Sequence, residues 1–464
     1  MIWLDVSTGC HKQPSISCPQ WASYRRLCGN LFYEGDLLHT TSFILKGDLC
    51  DSLDRERLRT IPNGYLVCSD GLCAGAFSTL PEKYRHLPVL NCDGQLILPG
   101  LTDLHVHAPQ YTFRGLGMDL ELLDWLAVNT FPEEALYANL DYAERAYRDF
   151  VRDLTRSATT RACIFATVHR PATVLLMDLL EESGLVALVG KVNMDRDCPD
   201  DLQETTEGSA EETRRWLEET AGTYARVGPI LTPRFIPSCT EPLLDALGTI
   251  AAETGLPVQS HLSENLGEVE LVGRLCPDAA FYGDAYDRHG LFGSRGKAIM
   301  AHCVLSSDEE IARMKERGVY VAHCPQSNTN LSSGAAPVRR YWDEGLNLGL
   351  GSDVAGGASL SIFRAMSDAI QVSKLRWRLQ DDRLRPLTVS EAFWMGTAGG
   401  GSFFGQVGLF RSGYEFDAVV LDDSRLSSPR PLTVEQRVER AVYLFEDRDV
   451  VRKFVRGREI RLPS

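Results

Sequence analysis

From Ser42 to Leu98 the apolar residues come in short runs separated by Gly- and Asp-rich turns. Phe43-Ile44-Leu45, Gly64-Tyr65-Leu66-Val67 and Leu96-Ile97-Leu98 are the clearest. Short apolar runs bounded by turn formers predict strands. Pro99-Gly100 then marks a change of texture. Beyond it, strand-like runs alternate with stretches of helical period. The strand candidates are Leu101–His107, Thr160–His169, Leu185–Met194, Ile230–Ile236, Pro257–His261, Ala298–His302, Val319–His323 and Leu346–Asp353. Helical patterns between them include Glu211–Ala225, Glu241–Glu253 and Ser307–Arg317. Eight strands alternating with helices over about 250–300 residues match a (β/α)8 barrel of the TIM type. After a helix expected over Glu391–Gly399 the tail reads as strands again, at Phe416–Leu421, Ala441–Phe445 and Val450–Ile460. The expected architecture is therefore α/β. A TIM-type barrel over 98–403 is inserted into a small β-sandwich domain built from both chain ends, 29–97 and 404–464. Residues 1–28 read as an irregular lead-in with no assignable role.

Composition narrows the function. The chain has 464 residues, 44% hydrophobic and 24% charged, which is ordinary for a globular enzyme and excludes disorder as the main state. Its net charge of −15 argues against nucleic acid or an anionic membrane surface as partner. No apolar stretch is long enough to span a bilayer, and Met1–Cys10 lack the basic start and apolar core of a signal peptide. Thirteen cysteines, odd in number and without CxxC spacing, predict buried thiols in a reducing, cytoplasmic compartment.

The sharpest local signal is Asp103-Leu104-His105-Val106-His107. Residues two apart on a strand share a face, so both imidazoles point the same way and can converge on one ion. In a barrel they would lie at the C-terminal rim, where barrel active sites sit. Three further strand candidates end in ligand-type residues: His261, His302 and Asp353. Four imidazoles and a carboxylate suit Zn²⁺, with Fe²⁺ as the alternative. The fourth strand candidate carries Arg234 and no lysine to bridge a second ion, so one ion per chain is expected. Asp353 is also a candidate catalytic residue, placed to hold a metal-bound water by a hydrogen bond. Glu264, three residues past His261, is placed to carry a proton from water to a substrate heteroatom. His323 ends the seventh strand candidate as a hydrogen-bond donor behind the ligands, a substrate contact or a structural residue, and His169 reads as structural.

These residues resemble the amidohydrolase superfamily and, within it, the guanine deaminases. The broader likeness rests on Pro-Gly-Leu-Thr-Asp-Leu-His-Val-His and on the later strand-end ligands. The narrower likeness rests on longer strings. These are His107-Ala108-Pro109-Gln110-Tyr111, Leu123-Asp124-Trp125-Leu126, Thr130-Phe131-Pro132-Glu133, Gly190-Lys191-Val192-Asn193-Met194-Asp195, Thr232-Pro233-Arg234-Phe235, Ser260-His261-Leu262-Ser263-Glu264-Asn265 and Gly351-Ser352-Asp353-Val354-Ala355-Gly356-Gly357. The likeness covers roughly 42–460. It departs at Cys303, where a smaller residue is commoner, and at Asn193, where the family often has cysteine. The resemblance implies metal-dependent hydrolysis of guanine to xanthine and ammonia by a homodimer. Gln110, Arg234 and Phe235 would hold the purine, and the aromatic loop Tyr111–Pro132 would close over it. Two other readings stand beside this one: a related amidohydrolase acting on another aminated heterocycle, such as 8-oxoguanine or a triazine, and a non-catalytic scaffold of the same fold.

Overall fold

The computed structural model describes residues 42–463. The lead-in expected over 1–28 lies outside the described residues, as does the start of the segment expected to open the β domain.

Both ends of the described chain meet in one seven-stranded mixed sheet. Its strands are β1 (Phe43–Ser52), β2 (Leu58–Ser69), β3 (Leu72–Phe77), β4 (Val89–Pro99), β15 (Ala418–Leu421), β16 (Val450–Val455) and β17 (Arg458–Ile460). The order is β17-β16-β15-β4-β1-β2-β3. The join between the two ends is the antiparallel pair β4–β15, with Ile97 opposite Val420. Among the described residues this is a single sheet, where two facing sheets were expected.

The segment between the ends carries two four-stranded parallel sheets. One has the order β5-β6-β7-β9 and the other β11-β12-β13-β14. The first contains β5 (Leu101–His107), β6 (Thr159–Phe165), β7 (Val186–Gly190) and β9 (Val227–Pro229). The second contains β11 (Val258–Leu262), β12 (Ala298–His302), β13 (Tyr320–His323) and β14 (Asn347–Leu350). A short pair, β8 (Val192–Asn193) and β10 (Thr232–Pro233), extends the first sheet toward the site. The sheets approach at both margins. Leu231 forms an isolated parallel bridge to Val258, and the Asp353 amide donates to the His105 carbonyl at 2.8 Å. β5, β6 and β7 are buried along their whole length, as parallel strands covered by helices should be.

The intervening helices follow their local signals. Asn139 Oδ1 accepts from the amides of Asp141 and Tyr142 and opens the helix Leu140–Arg156. Glu241–Thr254 stops at Gly255, whose φ of 72° closes the last turn. Three expectations need correction. Ile230–Ile236 is not one strand: β9 has already ended at Pro229, only Thr232–Pro233 form a strand, β10, and Ile236 opens a short helical turn over Ile236–Ser238. His169 does not end a strand. β6 stops at Phe165, and His169 is the N-cap residue of the helix Arg170–Ser183. Ala441–Phe445 is not a strand but lies almost wholly in the helix Val434–Leu444. Val434, Val438, Ala441 and Val442 bury one face of that helix, and Thr433 with Gln436 forms its capping box.

Candidate active site

The five candidate ligands come together from four strand ends. His105 and His107 lie on β5, His261 on β11 and His302 at the end of β12, and Asp353 sits three residues beyond β14. His107 Nε2 is 3.2 Å from His105 Nε2 and 3.2 Å from His261 Nε2. Asp353 Oδ1 is 3.1 Å from His105 Nε2 and 3.5 Å from His107 Nε2. His302 stands slightly back, its Nε2 3.8 Å from Asp353 Oδ2.

These spacings fit a metal. Donors each about 2.0–2.1 Å from one ion, at angles of about 90–120°, lie about 3.0–3.6 Å from one another. The tautomers fit as well. His261 Nδ1 donates to the Arg234 carbonyl at 2.6 Å, and His302 Nδ1 donates to Asn328 Oδ1 at 2.8 Å. Each ring therefore turns a bare Nε2 lone pair inward, and that of His302 is buried without a hydrogen-bond partner. Burial lowers the pKa of His105, His107 and His261, so these rings are neutral donors. Cys324 Sγ lies within 4.8 Å of ligand atoms of His105 and Asp353, but burial holds its thiol well above the usual range, so it stays protonated.

Local backbone geometry aims the ligands. Ser263, His302, Cys303 and Asp353 all have positive φ, at 47°, 72°, 48° and 46°. Non-glycine residues rarely adopt this conformation, and it clusters where function demands it. Buried Asp103 ties β5 to the turn after β14. Its carboxylate accepts from the Ser352 amide at 3.0 Å, Ser352 Oγ at 2.5 Å and the His105 amide at 3.1 Å. In the sequence Asp103 is simply the first residue of the Asp-Leu-His-Val-His string; these hydrogen bonds make it a strut.

Glu264 lies beside the cluster, its Oε2 3.3 Å from His302 Nε2 and its Oε1 accepting from Ser333 Oγ at 3.3 Å. Burial, then the charges of Asp353 and Glu268, raise its carboxyl well above the ordinary range. At Asp353 burial pushes upward too, but His105, His302 and His107 outweigh it and hold the carboxyl far below that range. Two neighbouring carboxyls are thus driven apart, one toward carrying a proton and one toward staying ionised.

Gln110, Arg234 and Phe235 line the same cavity as His107, Glu264 and Asp353, which encloses about 370 Å³ including its mouth. Phe235 presents its ring 6.3 Å from that of His261. Leu122, Trp125 and Leu126 cover the cavity from the loop after β5, which folds into short helical turns. Within that loop lies a residue the sequence reading passed over, Glu134, buried and hydrogen-bonded to both Arg234 and Gln110. Its neighbour Glu133 instead accepts from Thr112 Oγ1 and Tyr142 Oη, each at 2.5 Å. His323 is buried behind the cluster, and burial, then His302, push its ring down to about 3. His169 is outside this cavity and lines a separate cleft.

Comparison with known proteins agrees with this arrangement. The model of the amidohydrolase family matches residues 96–460. The chain is 40% identical over 379 residues to the guanine deaminase of Homo sapiens, covering 79% of this chain and 83% of that one. It is 38% identical over 446 residues to the guanine deaminase of Dictyostelium discoideum, covering 90% of this chain and 98% of that one. The crystal structure of guanine deaminase from C. acetobutylicum, which has guanine bound in its active site, superposes with a TM-score of 0.89 at 44% identity. It covers 91% of this chain and 100% of that one. On the family model that matches 96–460 and on relatives of this identity and coverage, the chain belongs to the amidohydrolase family and, within it, to the guanine deaminases.

Proposed function

We propose that this protein deaminates guanine hydrolytically, giving xanthine and ammonia, with one divalent ion, Zn²⁺ in the first instance, held by His105, His107, His261, His302 and Asp353. The observation that carries this reading is the meeting of His107, His261, His302 and Asp353 with Gln110, Arg234 and Phe235 in one cavity, with His105 3.2 Å from His107. Relatives that share two-fifths of its sequence are guanine deaminases. The proximity of the two parallel sheets, through Leu231–Val258 on one side and Asp353–His105 on the other, supports reading the eight strands β5, β6, β7, β9 and β11–β14 as a (β/α)8 barrel over 98–403.

A divalent ion held by His105, His107, His261, His302 and Asp353 would supply an activated water at neutral pH, since such an ion can lower the pKa of a bound water to about 7. The chain's own groups do the rest. Phe235 packs on the purine face, and Gln110 and Arg234 address its polar edge. The amino-bearing carbon is a poor electrophile, so attack requires protonation of a ring nitrogen as charge flows into the ring. Glu264 takes a proton from the water and delivers it there. Asp353, held ionised, orients the water by accepting its hydrogen bond, takes up the remaining hydroxyl proton once the C–O bond has formed, and passes that proton to the amine as the C–N bond breaks, so that ammonia departs. Leu122, Trp125 and Leu126 exclude bulk water.

Arg234 only donates hydrogen bonds, which suits the guanine carbonyl and opposes the adenine amino group. We expect kcat/KM for guanine to exceed that for adenine by about 10⁴-fold or more. Guanosine should fail for want of room under the Trp125 cover. Ammonia release from guanine, adenine, guanosine and 8-oxoguanine tests this. Comparable adenine turnover would remove Arg234 from recognition, and a preference for 8-oxoguanine would transfer the enzyme to the neighbouring reading. Elemental analysis should find one ion per active chain, lost with activity in His261→Ala.

A further inference from the structure

We propose that Glu134 is a positioning residue that makes the purine-facing wall selective for a neutral base. It fixes the orientation of Arg234 and Gln110 and cancels the guanidinium charge. The inference rests on the guanine reading above.

Glu134, Arg234 and Gln110 are 1%, 2% and 2% exposed. Glu134 Oε2 accepts from Arg234 Nη1 at 2.5 Å. Its Oε1 accepts from Arg234 Nη2 at 3.1 Å and from Gln110 Nε2 at 2.9 Å. On the far side of the amide, Gln110 Oε1 accepts from the Ala355 amide at 3.2 Å. A carboxylate only accepts, so it fixes which end of the Gln110 amide faces it. A flip would set oxygen against oxygen and leave the Ala355 amide facing an NH₂ group. The inventory is then determined. Gln110 keeps one N–H and one lone pair, and Arg234 keeps three N–H, for whatever occupies the cavity that both residues line.

The charge matters as much as the geometry. An unpaired guanidinium in so buried a wall would favour an anion. The reaction exchanges an amino group for a second carbonyl, which makes the ring N–H groups of xanthine more acidic than those of guanine. An Arg–Glu pair of zero net charge withdraws any premium for the xanthine anion, so product is not retained over substrate. Glu134 itself contacts Arg234 and Gln110, not the ligand cluster.

The test is Glu134→Gln in the metal-loaded enzyme, with guanine as substrate and xanthine as inhibitor, on both sides of the xanthine ionisation. We expect kcat/KM for guanine to fall about 10–100-fold, mainly through KM, with metal content unchanged. Xanthine should bind more tightly relative to guanine, and increasingly so as pH rises. A purely structural role would not produce that inversion with pH. An unchanged guanine KM together with an unchanged xanthine-to-guanine ratio overturns the proposal while leaving the guanine reading intact. Failure of the wild type to deaminate guanine defeats the reading, and this inference with it. If Glu134→Gln does not fold, Glu134→Asp keeps the charge but is one methylene short of spanning both partners. It should raise guanine KM without favouring xanthine, and an unaltered KM there overturns the positioning role.

Discussion

Glu264 and Asp353 are both carboxyls, both buried and both beside His302, yet the site drives them in opposite directions. Around Asp353, imidazoles on several sides favour the anion. Around Glu264 the charged neighbours are themselves carboxylates, and they add to the effect of burial. That asymmetry supports the proposal that Glu264 carries the mobile proton. Glu264→Gln keeps the shape and the contact with Ser333 but cannot exchange a proton. Turnover should fall about 10²–10⁴-fold with metal retained. Single-turnover kinetics beside elemental analysis would check it, and undiminished turnover would reduce Glu264 to a residue that merely precedes a helix. The residues visible in the sequence at this scale were those with a local signature: a histidine pair two apart on a strand, and a ligand-type side chain closing an apolar run. Glu134 has none. Phe131-Pro132-Glu133-Glu134 offers two adjacent glutamates, and only the packing of Arg234, a hundred residues away, distinguishes the buried one from its neighbour.

At the scale of elements, the alternation of strand and helix was legible because burial on both faces leaves continuous apolar runs, as in β5, β6 and β7. Where apolar periodicity and chain geometry conflict, the reading failed. Ala441-Val442-Tyr443-Leu444-Phe445 is apolar enough for a strand, yet Tyr443 and Leu444 are exposed while Ala441 and Val442 are buried, the mark of a helical face. At Ile230–Ile236 the strand is confined to Thr232–Pro233 and the run ends in a helical turn at Ile236, which hydrophobicity alone would not announce. The strand ends also carry a requirement that no pattern announces, namely space. A methyl group on Gly351, between β14 and Asp353, would stand 2.7 Å from Cys324 Sγ and 2.9 Å from His105 Cβ. Neither neighbour is a flexible tip, so Gly351→Ala should displace His105 relative to Asp353. The expected outcome is a metal affinity lower by about 10–100-fold, read by competition with a chelator, in a protein whose far-ultraviolet circular dichroism is unchanged. Wild-type affinity in that variant would mean that the turn after β14 has slack.

For the whole molecule, the question is what holds the seven-stranded sheet against the parallel sheets that carry the site. Arg161 of β6 is fully buried and reaches across to the segment just before β15. Its Nε donates to Asp417 Oδ2 at 2.6 Å, and its Nη2 donates to Asp417 Oδ1 at 3.1 Å and to Glu415 Oε2 at 2.7 Å. Asp417 also accepts from the Arg456 amide at 2.9 Å. Nearby, Lys453 of β16 donates to the carbonyls of Thr155 and Thr159 at 2.7 and 2.9 Å, beside the end of the helix Leu140–Arg156. The contacts of Arg161 and Lys453 join residues more than 250 positions apart, which is why the arrangement of the two ends could be anticipated from strand-like runs but its fastening could not. A buried pair of this kind contributes little net stability over an apolar replacement, because desolvation offsets most of the attraction. Removing one member is different, since it strands the other's charge. Arg161→Met should therefore lower unfolding stability by about 3–5 kcal/mol. Arg161→Met combined with Asp417→Asn removes the stranded charge and should recover part of the loss, in a double-mutant cycle of chemical denaturation midpoints. Equal losses in the single and double variants would show that packing of the arginine stem, and not the buried carboxylate, holds the sheet in place.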